Sequence, residues 1–253
     1  MKGEQVMKAL ITGASSGIGR EIAIYLSELG VDLIVVARRK DRLEELKSIL
    51  KTNVEIICMD VSSAENCIEL YKQVKNVDIL VNNAGFGTFG EFEKTSIIEE
   101  MEMVNTNICA VHTLTKLFLK DMKEKDEGYI LNVASIAAFL PGPLMATYYS
   151  TKAYVFRLTE SIYEELRREG YNVSVSILCP GPTKTEFMGK AGVSFKTRYS
   201  SSKYVARYGR DKMFKGKLII LPGIKTKLVR FFGKVVPDKL LARVAYNIQE
   251  KRK

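Results

Sequence analysis

Between Thr12 and Gly19 the chain reads Thr-Gly-Ala-Ser-Ser-Gly-Ile-Gly, after the apolar run Ala9-Leu10-Ile11 and before a helix-like run from Glu21 to Leu29. Glycines at this spacing leave the backbone little choice: a strand must turn sharply and enter a helix. In that setting the N–H groups of the turn and of the helix N-terminus point outward together, where they can hold phosphate oxygens. The fold therefore has to open on a strand–turn–helix unit. Gly13, Ser15, Ser16, Gly17, Ile18 and Gly19 are the candidate pyrophosphate cradle.

The rest of the chain repeats the alternation. Apolar runs at Ala9–Thr12, Leu33–Ala37, Glu55–Met59, Ile79–Val81, Tyr129–Ala134, Val173–Leu178 and Lys217–Leu221 read as strands. Their near-continuous Ile, Leu and Val content suits strands covered on both faces. Helical periodicity falls between them, over Ile18–Leu29, Asp41–Lys51, Ala64–Val74, a long segment Ile97–Lys123, and Ala146–Arg168. In the long segment, Ile108, Val111, Thr115, Phe118 and Met122 form a stripe suited to core or subunit contact. Strand alternating with helix predicts an α/β fold with a doubly wound, parallel, seven-stranded sheet (a Rossmann fold), in one domain over 1–253.

Two further elements carry chemistry. Ser135 ends a strand, and Tyr148 and Lys152 stand four residues apart on the next helix. That spacing puts phenol and ammonium on one helix face, where the cation stabilises a phenolate. Taken singly, each residue has an ordinary explanation as a surface pair or a strand-end serine; together with the glycine-rich loop they do not. The chain resembles the short-chain dehydrogenase/reductase family over about Lys8 to Phe187. Thr12–Gly19 matches the cofactor loop, Asn82-Asn83-Ala84-Gly85 a second motif, Ser135 and Tyr148-x-x-x-Lys152 the active-site pattern, and Pro180-Gly181 with Thr185 a fifth element. The family's catalytic asparagine aligns with Asn107, with Asn105 as the alternative.

The resemblance implies roles. Tyr148 is the general acid in reduction and base in oxidation, Ser135 holds the carbonyl oxygen, and Lys152 also holds the nicotinamide ribose. Asn107 positions a water that reloads the proton. Asp60 and Val61 meet the adenine, while Asn83, Ala84 and Gly85 wall the adenosine side. Pro180, Gly181, Thr183 and Thr185 lie behind the nicotinamide. Asn82 ties adjacent strands together, and Tyr149, only three residues from Lys152, is assigned to packing.

The second strand decides which dinucleotide is expected. A carboxylate at its end would bond a ribose 2′-OH and repel a 2′-phosphate. Here the chain runs Val36-Ala37-Arg38-Arg39-Lys40, with no acid before Asp41. Arg38 can grip a phosphate at two points and Arg39 adds field. Cations at a helix start oppose the helix dipole, so a ligand accounts for them better than the helix does. The expected cofactor is NADP(H). Phe86, Ile136, Ala137, Ala138, Phe139, Leu140, Pro141 and Met145 suggest an apolar pocket and a small-molecule apolar carbonyl substrate.

Charge is unevenly spread. Residues 186–253 hold 18 Lys and Arg against 4 Asp and Glu, a net of +14, leaving the remainder at −4 and the whole at +10. Residues 186–216 lack apolar periodicity and read as a mobile substrate loop or short helices. Residues 224–253 form a basic helical extension in which apolar residues alternate with Lys and Arg. It could cap the pocket, build a subunit interface, or lie on a membrane surface; packing on its own fold is the first expectation. An acidic carrier protein is a further candidate partner, which would make the chain a 3-ketoacyl-thioester reductase. A non-catalytic NADP(H)-binding redox sensor is the reading outside catalysis, disfavoured by an intact proton donor. No RNA or DNA motif accompanies the basic segment, so nucleic acid is not expected. The family implies a homodimer or homotetramer through residues 97–123 and 146–168. Cys58, Cys67, Cys109 and Cys179 form no CxxC pair, the single His112 reads as structural, and no metal site is expected. With no apolar run of ~20 residues and no secretory leader pattern, the expected location is cytoplasmic.

Overall fold

The computed structural model describes residues 6–186 and 199–250. Its first strand, β1 (Lys8–Thr12), is buried at Ala9 to Thr12, and the alternation of its side chains decides what covers it. Ala9 and Ile11 join one core cluster with Leu33, Val35 and Val81, whereas Leu10 joins the opposite one with Ile34, Val36 and Leu80. A strand apolar at every position thus feeds two cores, one on each face of the sheet.

The elements follow in chain order as α1 (Gly17–Ser27), β2 (Asp32–Ala37), α2 (Lys40–Ile49), β3 (Val54–Cys58), α3 (Ala64–Gln73) and β4 (Ile79–Asn82). Then come α4 (Ile97–Val104), a π-helical turn (Asn105–Cys109), α5 (Ala110–Lys125), β5 (Tyr129–Val133), a 3-10 turn (Ile136–Phe139) and α6 (Ala146–Glu169). After β6 (Ser174–Leu178), β7 (Thr183–Lys184) and β8 (Ser200–Ser201) lie α7 (Ser202–Met213), β9 (Ile219–Ile220), α8 (Ile224–Val235) and α9 (Asp238–Glu250). The main sheet has seven strands in the order β3-β2-β1-β4-β5-β6-β9, every neighbouring pair parallel. The doubly wound single domain is as expected. Its order reverses between β1 and β4, the switch point where ligands of such sheets bind.

One expectation is corrected: the single helix read over Ile97–Lys123 is interrupted by the π turn. Within the stretch 186–216, read as a mobile loop or short helices, residues 202–213 form a helix packed on α1. Its buried face is Val205, Ala206, Gly209 and Met213, two of them too small to register as an apolar stripe. A Cβ on Gly209 would lie 3.0 Å from Leu178, so the small residue lets α7 press onto β6. The part of that stretch from 187 to 198 lies outside the described residues.

Candidate active site

β1 delivers Thr12, whose hydroxyl stitches the switch point together. It accepts from the N–H groups of Asn83 and Ala84, both at 3.1 Å. Asn83 Nδ2 in turn donates to the carbonyls of Thr12 and Gly13, both at 3.1 Å. The glycine-rich loop therefore rests against the segment after β4 with no space between. Gly13, at φ 65°, would place a Cβ 2.8 Å from Ala84 Cα, and Gly17, at φ 58°, would place one 2.9 Å from Thr185. Neither position tolerates a side chain. Ser16 is the N-cap of α1 but its side chain makes no capping bond, and the first turn carries no acid. The first N–H groups of α1 are thus left for an anion.

The two arginines after β2 face the same cleft, and each already holds carboxylates. Arg38 Nη1 donates to Glu102 Oε1 at 2.8 Å and to Asp60 Oδ2 at 3.4 Å. Arg39 Nη2 donates to Glu186 Oε2 at 2.7 Å and to Ser15 Oγ at 3.1 Å. Arg39 is the N-cap of α2, so the cations do crowd a helix start. Asp60 Oδ1 also accepts from Ser62 N at 2.9 Å, and its carboxyl is held below its ordinary pKa by that bond and by Arg38, against the opposing effect of burial.

At the other end of the cleft, β5 leads to Ser135. The extended backbone there (φ −171°) starts the 3-10 turn, and Ser135 Oγ accepts from Ala137 N at 3.1 Å. With that lone pair occupied, the hydroxyl proton points away from Ala137 and bonds the Tyr148 phenol across the cleft. Leu144 adopts φ 64°, a left-handed conformation that costs a non-glycine residue ~1–2 kcal/mol, just before α6 brings in Tyr148 and Lys152. Lys152 is 5% exposed; its Nζ donates to Val133 O at 3.0 Å and lies 5.9 Å from the centre of the Tyr148 ring. Burial lowers the Lys152 pKa to about 8. Burial also raises the Tyr148 pKa above that of an ordinary phenol, with a hydrogen bond to Ser135 pulling partly back. The phenol therefore stays protonated, with the Ser135 hydrogen bond acting against burial.

Asn107, not Asn105, is the fully buried asparagine of the π turn. Its Oδ1 accepts from Phe86 N at 3.1 Å, while Nδ2 donates to Phe86 O at 2.9 Å and Thr151 Oγ1 at 3.0 Å. Thr151 passes its own proton to Tyr148 O at 2.7 Å. A Cβ on Gly85 would lie 2.8 Å from Asn107 Oδ1 and 3.4 Å from Lys152 Nζ, so glycine there is what lets these groups close in. Asn107 lies behind the cleft wall rather than on it, and its amide keeps one acceptor position beyond these bonds.

One cleft of about 330 Å³ joins both ends. It is lined by the glycine-rich loop, Arg38, Arg39, Asp60, Val61, Asn83 to Phe86, Ser135, Tyr148, Lys152 and the Pro180–Thr185 segment. Of the candidate substrate residues, Phe86, Ile136, Ala137 and Met145 face it. Phe139 instead packs edge-to-face on Phe156 with ring centres 5.0 Å apart. Tyr149, assigned to packing from sequence, lines the cleft, and its hydroxyl accepts from Gln249 Nε2 at 2.8 Å. Sequence offered no signal for Gln249, a hundred residues away. Asn82 does tie strands: its Nδ2 donates to Asn132 Oδ1 of β5 at 2.8 Å, at a paired register position.

A parallel doubly wound sheet with an anion cradle at its switch point, and a Ser–Tyr–Lys group across the same cleft, defines a dinucleotide-type oxidoreductase architecture. A family model for short chain dehydrogenases matches residues 7–194, and the chain belongs to that family. An uncharacterized oxidoreductase of Bacillus subtilis, YvaG, is 36% identical over 183 residues, covering 70% of this chain and 69% of its own. A short-chain dehydrogenase from Sphingobium yanoikuyae, solved in complex with NADPH, superposes with a TM-score of 0.82 at 26% identity, covering 90% of this chain and 93% of that one. A family member from Burkholderia phymatum, solved in complex with NAD, gives a TM-score of 0.79 at 24% identity, over 92% and 95% of the two chains. The fold thus accompanies either dinucleotide.

Proposed function

We propose that this chain is an NADP(H)-dependent reductase of apolar ketones or aldehydes. The observation that carries the reading is the convergence of Ser135, Tyr148 and Lys152 on the cleft that also holds the glycine-rich loop and both arginines. The residues fit the dinucleotide: uncapped N–H groups at α1 suit a pyrophosphate, and Arg38 and Arg39 suit a 2′-phosphate. NADPH, when bound, supplies the hydride. Ser135 Oγ–H orients the carbonyl oxygen by a hydrogen bond. As negative charge gathers on that oxygen, Tyr148 Oη–H, kept protonated by burial, donates its proton. Lys152 holds positive charge beside the phenol and takes the ribose hydroxyls. Asn107 is a positioning residue that fixes Phe86 and Thr151 around the donor, with its remaining acceptor position available to a relay water.

Phe86, Ile136, Ala137, Met145 and Tyr149, all lining the cleft, support an apolar substrate. Exposed Ile97, Ile98 and Met101 on α4 support assembly into a dimer through α4–α6. The test is oxidation of NADPH, with NADH in parallel, across ketones, quinones, steroids and 3-ketoacyl thioesters. Turnover with one class identifies the substrate chemistry. Tyr148→Phe is expected to keep NADPH binding and lose turnover by about 10²–10⁴-fold; a loss under tenfold would show that the proton comes from elsewhere.

A further inference from the structure

α8 is amphipathic the wrong way round for a helix resting on its own fold. Its inner face is Thr226, Val229, Arg230 and Gly233, with Val229 the one large apolar side chain among them. Thr226 Oγ1 donates to the carbonyls of Pro222 and Gly223, at 3.0 and 2.8 Å. A Cβ on Gly233 would lie 2.5 Å from Phe139 O, so the helix seats against the 3-10 turn through a residue with no side chain. The Arg230 guanidinium lies 5.9 Å from the Phe139 ring centre and 6.0 Å from that of Phe156. Ile224, Leu228, Phe231 and Val235 follow at four-, three- and four-residue spacing and form one stripe on the other side, with Phe232 beside it. These are 75%, 49%, 59%, 58% and 50% exposed in that order. A helix of a water-facing surface has the opposite arrangement.

α9 extends the pattern. Leu240, Val244 and Ile248 stand at four-residue spacing and about half of each is exposed, while Leu241 and Gln249 turn inward. Basic residues accompany both stripes: Lys225, Lys227 and Lys234 on α8, Lys239 and Arg243 on α9, all exposed. The acids of these helices are Asp238 and Glu250.

We infer that α8 and α9 seat the protein on an anionic phospholipid surface. Apolar side chains of such a helix sink into the headgroup and acyl boundary, and flanking lysines lay their stems along it with the ammonium groups at the phosphates. Charge selects this occupant over a second copy of the chain. A two-fold contact centred on the stripes would bring the same lysines and Arg243 of each copy together, with only two acids per copy to offset them. Anionic headgroups instead favour each added lysine or arginine by ~1 kcal/mol, about fivefold in binding. Among the described residues no helix is long and apolar enough to cross a membrane, so the contact is with the surface. It also borders the cleft: α8 lies on the turn that follows Ser135, and α9 is tied to Tyr149 through Gln249.

Vesicle flotation of the full chain tests this without reference to any turnover. Vesicles of phosphatidylcholine mixed with phosphatidylglycerol are expected to carry the protein up, vesicles of phosphatidylcholine alone far less, and added salt to release it. Leu228→Glu with Phe231→Glu should reduce flotation by about tenfold or more while melting temperature and NADPH binding stay unchanged, since both side chains face solvent. Lys225→Glu with Lys234→Glu should remove the preference for the anionic lipid. Failure of the wild-type chain to float with either vesicle overturns the proposal, as does equal flotation of wild type and both variants. So does a concentration-dependent dimer that ignores vesicles and that the Leu228→Glu, Phe231→Glu pair dissolves, which would make the face a contact between copies.

Discussion

Lys152 and Arg38 carry charges whose surroundings define what each can do. Burial lowers the Lys152 pKa to about 8, below its ordinary 10.5. Between those values the unfolded chain holds a proton that the fold does not, so the ligand-free fold gains stability as pH rises through that window. In the proposed mechanism activity runs the other way, because the ammonium assigned to Tyr148 and the ribose is present below about pH 8 and lost above it. For the free enzyme, kcat/KM for reduction is therefore expected to fall roughly tenfold per pH unit on the alkaline side. A profile flat across that range would remove Lys152's charge from the mechanism. Arg38 sits between Asp60 and Glu102, so a 2′-phosphate has to share or displace those carboxylates. Arg38→Asp puts three acids in one place. Charge-assisted hydrogen bonds contribute ~1.5–3 kcal/mol, so NADPH affinity measured by titration should drop about 10- to 100-fold, with NADH much less affected. Equal losses for the two dinucleotides would place the phosphate elsewhere.

Among the elements, the π turn Asn105–Cys109 does most to connect fold with chemistry, because it turns Asn107 toward Phe86 and Thr151. Thr151→Val keeps the volume and removes the hydroxyl, leaving one buried Asn107 Nδ2 proton without its acceptor. A buried group left unpaired costs ~1–3 kcal/mol, so a lower melting temperature is expected together with a reduced kcat and little change in KM for NADPH. A structural role alone would lower the melting temperature and leave kcat intact. That turn was not legible in the sequence, which showed only an unbroken apolar stripe from Ile108 to Met122. What it serves is a hydrogen-bond set between Asn107 and residues 21 and 44 positions away, which no local pattern displays. β1, β2 and α1 were legible because local constraints alone determine them: apolar runs buried on both faces and glycines at positive φ. α7 escaped notice since its inward face relies on Ala206 and Gly209, and shape rather than hydrophobicity seats it. The C-terminal apolar residues were expected to pack on the fold. They are helical as read, but their stripes face outward.

For the molecule as a whole, the cleft matters because it spans the sheet where its two halves meet. The glycine-rich loop follows β1 and the arginines follow β2 on one side of the reversal, while Ser135 and the Pro180–Thr185 segment follow β5 and β6 on the other. A ligand that contacts both sides opposes any unfolding that parts them, and by mass action it stabilises only the state that binds it. At about a hundred times its Kd, one bound ligand adds ~2.7 kcal/mol. For a chain of this length each kcal/mol raises the melting temperature by about 2–4 °C, so NADPH at that excess should raise it by about 5–10 °C. NADH at the same concentration should raise it less, because the field of Arg38 and Arg39 acts on the 2′-phosphate that NADH lacks. In the Arg38→Asp chain the two dinucleotides should then give nearly the same shift. Parallel thermal melts of both proteins decide the matter: equal shifts for NADPH and NADH in the wild-type chain would mean that the carboxylates of Asp60, Glu102 and Glu186 already neutralise the arginines, and that the cleft does not select by phosphate.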